Sequence, residues 1–270
     1  SSEMSNIDIG IDFGITNSDI VTKSGKNLSF KSQKSEKNIH LSLNSILKNL
    51  QKDSKIKNVF VTGGRHLDLP NNFDGLNVIK KNEVDCIGSG ARKLSLLDSN
   101  FLVLSCGSGT ACVAHQNKIS KHLGGTGLGG GTIRGLCKLT IGIDDPEEID
   151  ELSRKGSQIG DYSLKDVVSG PIGNLPEDSI AVHLGNIDMM DKLKKEDICR
   201  SIIYLVATNI ARLAATAALA AKLKEVVVVG RSPNYYLYKE ILTKWIEFSG
   251  LEVIFPDNGE FATALGALEN

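Results

Sequence analysis

The sequence predicts an α/β protein built from a duplicated strand–hairpin–helix unit. β-branched runs that stop at glycine alternate with segments of helical apolar spacing, which points to strands covered by helices. The order strand, glycine turn, strand, strand, helix occurs from residue 7 and again from residue 101. Four glycine turns also stand in series, at residues 12–16, 63–64, 107–110 and 124–132.

The chain has 270 residues, 41% of them hydrophobic, enough for one large domain or two compact ones, and 5% aromatic content makes the core aliphatic. A formal charge of −1 leaves no basic footprint for nucleic acid, so a small uncharged or anionic ligand is expected. The five cysteines lack CxxC spacing and read as reduced core thiols of a cytoplasmic protein, with neither disulfides nor zinc. The polar stretch Ser1 to Asn6 carries no apolar signal core.

Taken in order, Ile7 to Gly14 is a strand, Ser18 to Thr22 its hairpin partner and Leu28 to Lys31 the third strand of a meander, after the turn Gly25-Lys26-Asn27. Apolar residues at 39, 43, 46, 47 and 50 predict a helix from about Lys37 to Leu50. Lys57 to Thr62 is a strand whose end at Gly63-Gly64 suits the carboxyl end of a parallel strand facing a ligand crevice. Leu76 to Ile79 is a brief strand and Asn82 to Leu97 a helix. The unit then restarts with strands at Phe101 to Cys106, Thr110 to His115 and Ile119 to Leu123. After the segment 145–195, where Pro146 opens a helix that Gly156 ends, a long apolar helix runs from Ile198 to Lys224. Arg200, Asn209 and Arg212 interrupt it and mark it as buried in protein, so no membrane is expected. Glu225 to Val229 and Leu251 to Phe255 are strands flanking a helix from Tyr236 to Gly250, and Asn258 to Ala267 is a closing small-residue helix. Helices therefore cover a largely parallel sheet.

The densest signal is Gly124 to Gly135, where seven of twelve residues are glycine and the run feeds an apolar helix at Leu136 to Ile141. Glycine loses more backbone entropy on ordering than any other residue, so such a cluster implies close backbone approach or positive φ. A turn running into a helix start presents amides to an anion, usually phosphate. Asp12, set between apolar residues at a strand end, is a carboxylate that must be paired or metal-bound. Glu83 stands at a helix start, where dipole stabilisation and catalysis account for an acid equally well.

Asp12-Phe13-Gly14-Ile15-Thr16 resembles the Asp-x-Gly-x-Thr hairpin of the actin, sugar-kinase and heat-shock-chaperone superfamily. Thr62-Gly63-Gly64, Glu83-Val84-Asp85, Gly107 to Thr110, Gly124 to Leu136, Val229 to Ser232 and Asp257 to Phe261 are similar, in order and spacing, to the type II pantothenate kinases. The resemblance implies an actin-like (ribonuclease H-like) fold of two domains, residues 1–98 and 99–270, with ATP and magnesium in the cleft between them. It implies Asp12 near magnesium and the triphosphate, with Gly14, Thr16 and Asn17 on phosphate. Ser108, Gly109 and Thr110 would form the second phosphate turn, Gly127, Gly129, Gly130, Gly131 and Thr132 would lie along the nucleotide, and Gly230 and Ser232 would lie near adenosine. Glu83 matches that family's catalytic glutamate, which takes the proton from the pantothenate hydroxyl, a role suited to a carboxylate that orients an alcohol for attack on a γ-phosphoryl group. Ser108, His122 and Gly125 fall at the pantothenate site. A homodimer through the long helix is also implied.

Three positions depart from that family: Ile15 where it has glycine, Asp19 where it has a phosphate-contacting lysine, and His122 where it has an arginine holding pantothenate. Asp19 reverses a charge beside the triphosphate and weakens nucleotide binding unless magnesium or another cation compensates. Gly14 to Val21 is also similar to the first turn of hydantoinase and oxoprolinase subunits, so an ATP-using enzyme of that kind, a kinase of another hydroxylated acceptor and a non-catalytic nucleotide-binding paralogue stay open beside pantothenate phosphorylation.

Overall fold

A computed structural model describes residues 4–98 and 100–269; Ser1 to Glu3 of the polar N-terminal stretch lie outside the described residues. The first sheet is a meander of β1 (Ser5–Phe13), β2 (Asn17–Ser24) and β3 (Asn27–Lys34), extended by β4 (Ser54–Thr62), β5 (Asn72–Phe73) and β6 (Leu76–Lys80) into the order β3-β2-β1-β4-β6-β5. Helix α1 (Ile39–Gln51), capped by Asn38 on the His40 amide, turns Leu43, Ile46 and Leu47 onto this sheet. Helix α2 (Glu83–Ser95) follows, capped by Asn82 on the Asp85 amide.

The second sheet repeats the plan. β7 (Phe101–Cys106), β8 (Thr110–Gln116) and β9 (Ile119–Thr126) form its meander, and β12 (Glu225–Gly230) and β13 (Glu252–Ile254) add in parallel to give β13-β12-β7-β8-β9. Read from the meander outward, β9-β8-β7-β12-β13 matches β3-β2-β1-β4-β6 in order and sense. Both sheets are mixed, against the largely parallel sheet expected, because each three-strand meander is joined by turns too short for a crossover and must pair antiparallel.

Between the second meander and its parallel extension lie helices α3 (Gly130–Ile141) and α4 (Pro146–Lys155), a small hairpin of β10 (Tyr162–Ser163) and β11 (Ile180–Val182) enclosing α5 (Leu164–Val167), and α6 (Lys195–Ala220); α7 (Tyr236–Phe248) and α8 (Ala262–Glu269) close the chain. Helix α6 is 26 residues long and apolar enough to cross a bilayer, yet its Ile202, Ile203, Val206, Ile210 and Ala214 are buried in the core with α7 and the second sheet. It stops at Ala220, four residues before the expected Lys224. Lys222 takes a left-handed conformation (φ 58°) and the Leu223 amide bonds back to the Ala218 carbonyl at 2.8 Å, which turns Leu223 into the core. All five cysteines are buried.

Helices α2 and α8 pack against each other, and α8 also lies against β1. Glycine makes that crossing, since a Cβ on Gly90 would stand 1.7 Å from the Ala262 carbonyl oxygen and one on Gly266 1.9 Å from that of Cys86.

Candidate active site

The cleft is built from the turns at the ends of equivalent strands. In the β1–β2 hairpin the Gly14 amide bonds to the Asn17 carbonyl at 3.0 Å, and Ser35 ties the turn down by donating to the Gly14 carbonyl at 2.8 Å. The β7–β8 turn is closed by the Gly107 amide on the Gly109 carbonyl at 3.0 Å. These turns and the end of β12 line a cavity of about 650 Å³ together with Asp12, Gly14, Thr16, Asn17, Ser108, Gly130, Gly131, Gly230 and Ser232. At Gly230 the chain has φ 96°, and a Cβ would stand 2.2 Å from the Cys106 carbonyl oxygen, so the turn admits only glycine.

The glycine-rich stretch differs from its expected role. Helix α3 starts inside it, at Gly130, six residues before the predicted Leu136. The Gly130 and Gly131 amides, expected to face an anion, donate to the carbonyls of Gly107 and Ser108 at 2.9 and 3.0 Å. Thr132 Oγ1 accepts from the Gly129 amide at 3.1 Å and donates to the Gly127 carbonyl at 3.0 Å, and Thr110 Oγ1 donates to the Leu128 carbonyl at 2.8 Å. The stretch is therefore fastened to the second turn, with Gly130 and Gly131 on the cavity wall and Gly109, Thr110, Gly127, Gly129 and Thr132 bracing it from behind. A Cβ at Gly129 would lie 2.3 Å from the Ser108 carbonyl oxygen, which accounts for the glycine there.

Asp12 and Asp19 are direct partners across the β1–β2 ladder. Asp12 is half-buried and has no hydrogen-bond partner among the described residues. Loss of water pushes its carboxyl up to about 8, helped by the charges of Asp19 and then Glu83, and opposed by Arg231. A carboxylate so placed, in a polar cleft with no cation bonded to it, fits a divalent ion bound mainly through a nucleotide's phosphates, because magnesium needs only one or two protein carboxylates. Among the described residues no cluster of three or more His, Cys, Asp or Glu forms a self-contained metal site.

Asp19 is not the uncompensated charge that the sequence suggests. Its Oδ2 accepts from Arg231 Nη1 at 3.1 Å, its Oδ1 from Ser32 Oγ at 2.6 Å and also from Arg231 Nη2. The sequence held no sign of this pair, because its members are 212 positions apart.

Glu83 is exposed in the first turn of α2 and near enough to raise the Asp12 carboxyl. Gly88, further along α2, packs against Ser120 and His115, which sets α2 against β8 and β9; His122 and Gly125 on β9 are exposed. Glu83, His122 and Gly125 lie outside the lining of the cavity that the two glycine turns share. The far wall was missed altogether: Asp145, Pro146, Glu147 and Asp150 of the α4 start line the cleft, and Asp150 Oδ1 accepts the Tyr236 amide at 2.8 Å. Asp145 as a cap and Pro146 at the first helical position signal the helix but not where it packs.

Two mixed sheets of the same topology, whose strand-end turns line one cleft, define the actin-like class of α/β fold. The activator of 2-hydroxyisocaproyl-CoA dehydratase from Clostridium difficile with bound ADPNP superimposes with a TM-score of 0.65 at 18% identity, over 97% of this chain and 92% of that one. A ROK family glucokinase from Streptomyces griseus in complex with glucose and AMPPNP gives 0.62 at 12% identity, over 97% and 98%. Within this class the chain belongs to the Fumble family, the type II pantothenate kinases, whose model matches residues 97–269. The type II pantothenate kinase of Bacillus cereus is 27% identical over 228 residues, 81% of this chain and 82% of that protein. The Staphylococcus epidermidis enzyme is 30% identical over 173 residues, 63% and 65% of the two chains.

Proposed function

We propose that the protein transfers the γ-phosphoryl group of ATP to the primary hydroxyl of pantothenate, giving 4'-phosphopantothenate. The observation that carries this reading is the meeting of Asp12 and the two glycine turns at one cleft, with Glu83 near enough to raise the Asp12 carboxyl, in a chain of the type II pantothenate kinase family. The turns at Gly14–Asn17 and Gly107–Gly109 hold the phosphate chain from opposite sheets, with adenosine toward Gly230, Ser232 and the α4 start. Asp12 would hold magnesium beside the triphosphate, where the ion would neutralise phosphate charge. Glu83 accepts the proton of the attacking hydroxyl and orients it, while His122 and Gly125 on β9 and Ser108 on the second turn face the pantothenate. A lone His122 is a weaker carboxylate anchor than an arginine fork, and Lys121 beside it adds a point charge.

The same reading includes a homodimer through α6, whose Leu219 is 56% exposed at the helix end, and a cytoplasmic setting in which five buried thiols stay reduced. Incubation with ATP, magnesium and pantothenate, followed by mass spectrometry, should yield ADP and 4'-phosphopantothenate in equal amounts. Turnover of a different alcohol without turnover of pantothenate would refute the acceptor and leave the kinase. Sedimentation as a monomer at micromolar concentration would refute the dimer.

A further inference from the structure

Counting the charged side chains that line the cleft raises a problem for any triphosphate. Asp12, Asp19, Asp145, Glu147, Asp150 and Glu260 are acidic, while Arg134 and Arg231 are the cations. Arg134 donates its Nε–H to the Asp144 carbonyl at 2.8 Å, which ties it to the link between α3 and α4. Arg231 stands elsewhere. It follows the Gly230 turn at the end of β12 in the second sheet, and its guanidinium reaches across the cleft to β2 and β3 of the first. There Asp19 takes both terminal nitrogens, and Nη2 also bonds Ser32 Oγ.

A guanidinium carries five N–H donors in a rigid plane. Those bonds occupy three, and Nε and one Nη1 hydrogen keep no partner among the described residues. Asp19 is 5% exposed and hydrogen-bonded by Ser32, so it is a fixed seat and not a floppy counter-ion. The Arg231 side chain, at 36% exposure, keeps its remaining donors open to the cleft. Fixing a guanidinium beforehand lowers the entropy lost when it meets a planar array of phosphate oxygens.

We propose that Arg231 binds the phosphate chain of the nucleotide and that Asp19, with Ser32, is the positioning residue that aims it. The inference rests on the kinase reading above and adds a residue whose phosphate role no local pattern in the chain announces. It also assigns the acid at position 19 a purpose: the cation opposite the first turn is delivered from the second sheet, so nucleotide binding draws on both sheets at once. A purely structural pair, one that merely fastens the two sheets, is the competing account.

The two accounts separate in calorimetric titrations with magnesium-AMPPNP, magnesium-ADP and adenosine, none of which involves pantothenate. Arg231→Gln should weaken AMPPNP binding about 10- to 100-fold, as expected for loss of a charge-assisted hydrogen bond, and leave adenosine within about twofold. Asp19→Ala, which removes the seat while keeping Arg231, should weaken AMPPNP binding several-fold and leave adenosine unchanged, whereas Asp19→Asn, which keeps an acceptor oxygen for Arg231 and removes a negative charge, should leave AMPPNP binding within about threefold of wild type. The double variant Asp19→Lys/Arg231→Ser, which moves the cation to the other side of the cleft, should regain most of the affinity lost in Arg231→Gln. Thermal melts of each variant identify any that are unfolded. Equal losses in Arg231→Gln and Asp19→Asn for all three ligands, with no recovery in the double variant, would overturn the proposal in favour of a fastening pair. Failure of the wild-type protein to bind AMPPNP or ADP would instead count against the kinase reading itself.

Discussion

Asp12 and Gly63 meet at the ends of the parallel strands β1 and β4, so closely that a Cβ on Gly63 would stand 2.1 Å from Asp12 Oδ1. Gly63 has φ 79°, a conformation that favours glycine, and the carboxylate occupies the space that a side chain there would need. The contact explains how Asp12 is held in the cleft without a hydrogen bond of its own, and why its charge is costly while no cation accompanies it.

The raised Asp12 carboxyl sets a pH dependence whose sign follows directly. With its value moved from 3.8 up to about 8, first by loss of water and then by Asp19 and Glu83, the folded protein prefers the protonated acid. Its contribution to stability is complete below the ordinary carboxylate range and is lost as pH rises through about 8. A bound cation displaces that proton. Magnesium-nucleotide binding at pH 7 should therefore release close to one proton, and at pH 9 almost none, measured by calorimetry in buffers of different ionisation enthalpy. Asp12→Asn should abolish the release and raise the melting temperature at pH 9 without magnesium.

Glu83 lies in the exposed first turn of α2, where its removal disturbs no packing. Glu83→Gln should lower kcat about 10²- to 10⁴-fold, the range for loss of a general base. Nucleotide affinity should stay within a few-fold, because the phosphate turns do not depend on it. A steady-state assay paired with nucleotide titration checks both. A purely helix-stabilising acid would show instead as a lower melting temperature with kcat retained.

The glycine stretch should answer to substitution in two opposite ways. Nothing lies within 4 Å of a Cβ built on Gly135, inside α3, so Gly135→Ala should stabilise the protein by about 0.5–1 kcal/mol through helix propensity. Gly129→Ala would drive a methyl group to 2.3 Å from the Ser108 carbonyl oxygen. It should weaken magnesium-nucleotide binding at least tenfold by shifting the second turn. Chemical denaturation and nucleotide titration of the two variants separate flexibility from close packing as the reason for the glycines.

At the α2–α8 crossing, Gly266→Ala should destabilise the fold by about 1–3 kcal/mol, since the obstructing atom is the Cys86 backbone oxygen and cannot rotate away. The same substitution at Gly124, where no atom lies within 4 Å, should change stability by less than about 1 kcal/mol. Urea midpoints for the pair test this, and equal effects would contradict the close contact.

The elements readable from the chain are those whose signal is local. The β-branched runs of β1, β7 and β12, the spacing of Leu43, Ile46 and Leu47, and the glycine turns each carry their own periodicity or conformational demand. The two-residue β5 has no such period; it exists because Asn72 and Phe73 lie beside β6. Helix α3 starts early for the same kind of reason. Propensity places glycine outside a helix, but the Gly107 and Ser108 carbonyls accept the amides of Gly130 and Gly131 and anchor the first turn.

The sequence by itself determined the duplicated unit, the family, the hairpin acid Asp12 and the helix-start acid Glu83, because each is written in neighbouring residues whose spacing has a physical meaning. Only the tertiary structure decided which amides the glycine stretch keeps for itself, that α4 walls the cleft, and that Asp19 is answered by Arg231. Hydrogen bonds and charges act through space, and the residues that satisfy Asp19 come from β3 of one sheet and from the turn after β12 of the other. No local pattern encodes that meeting, since it depends on two independently formed sheets closing on one another.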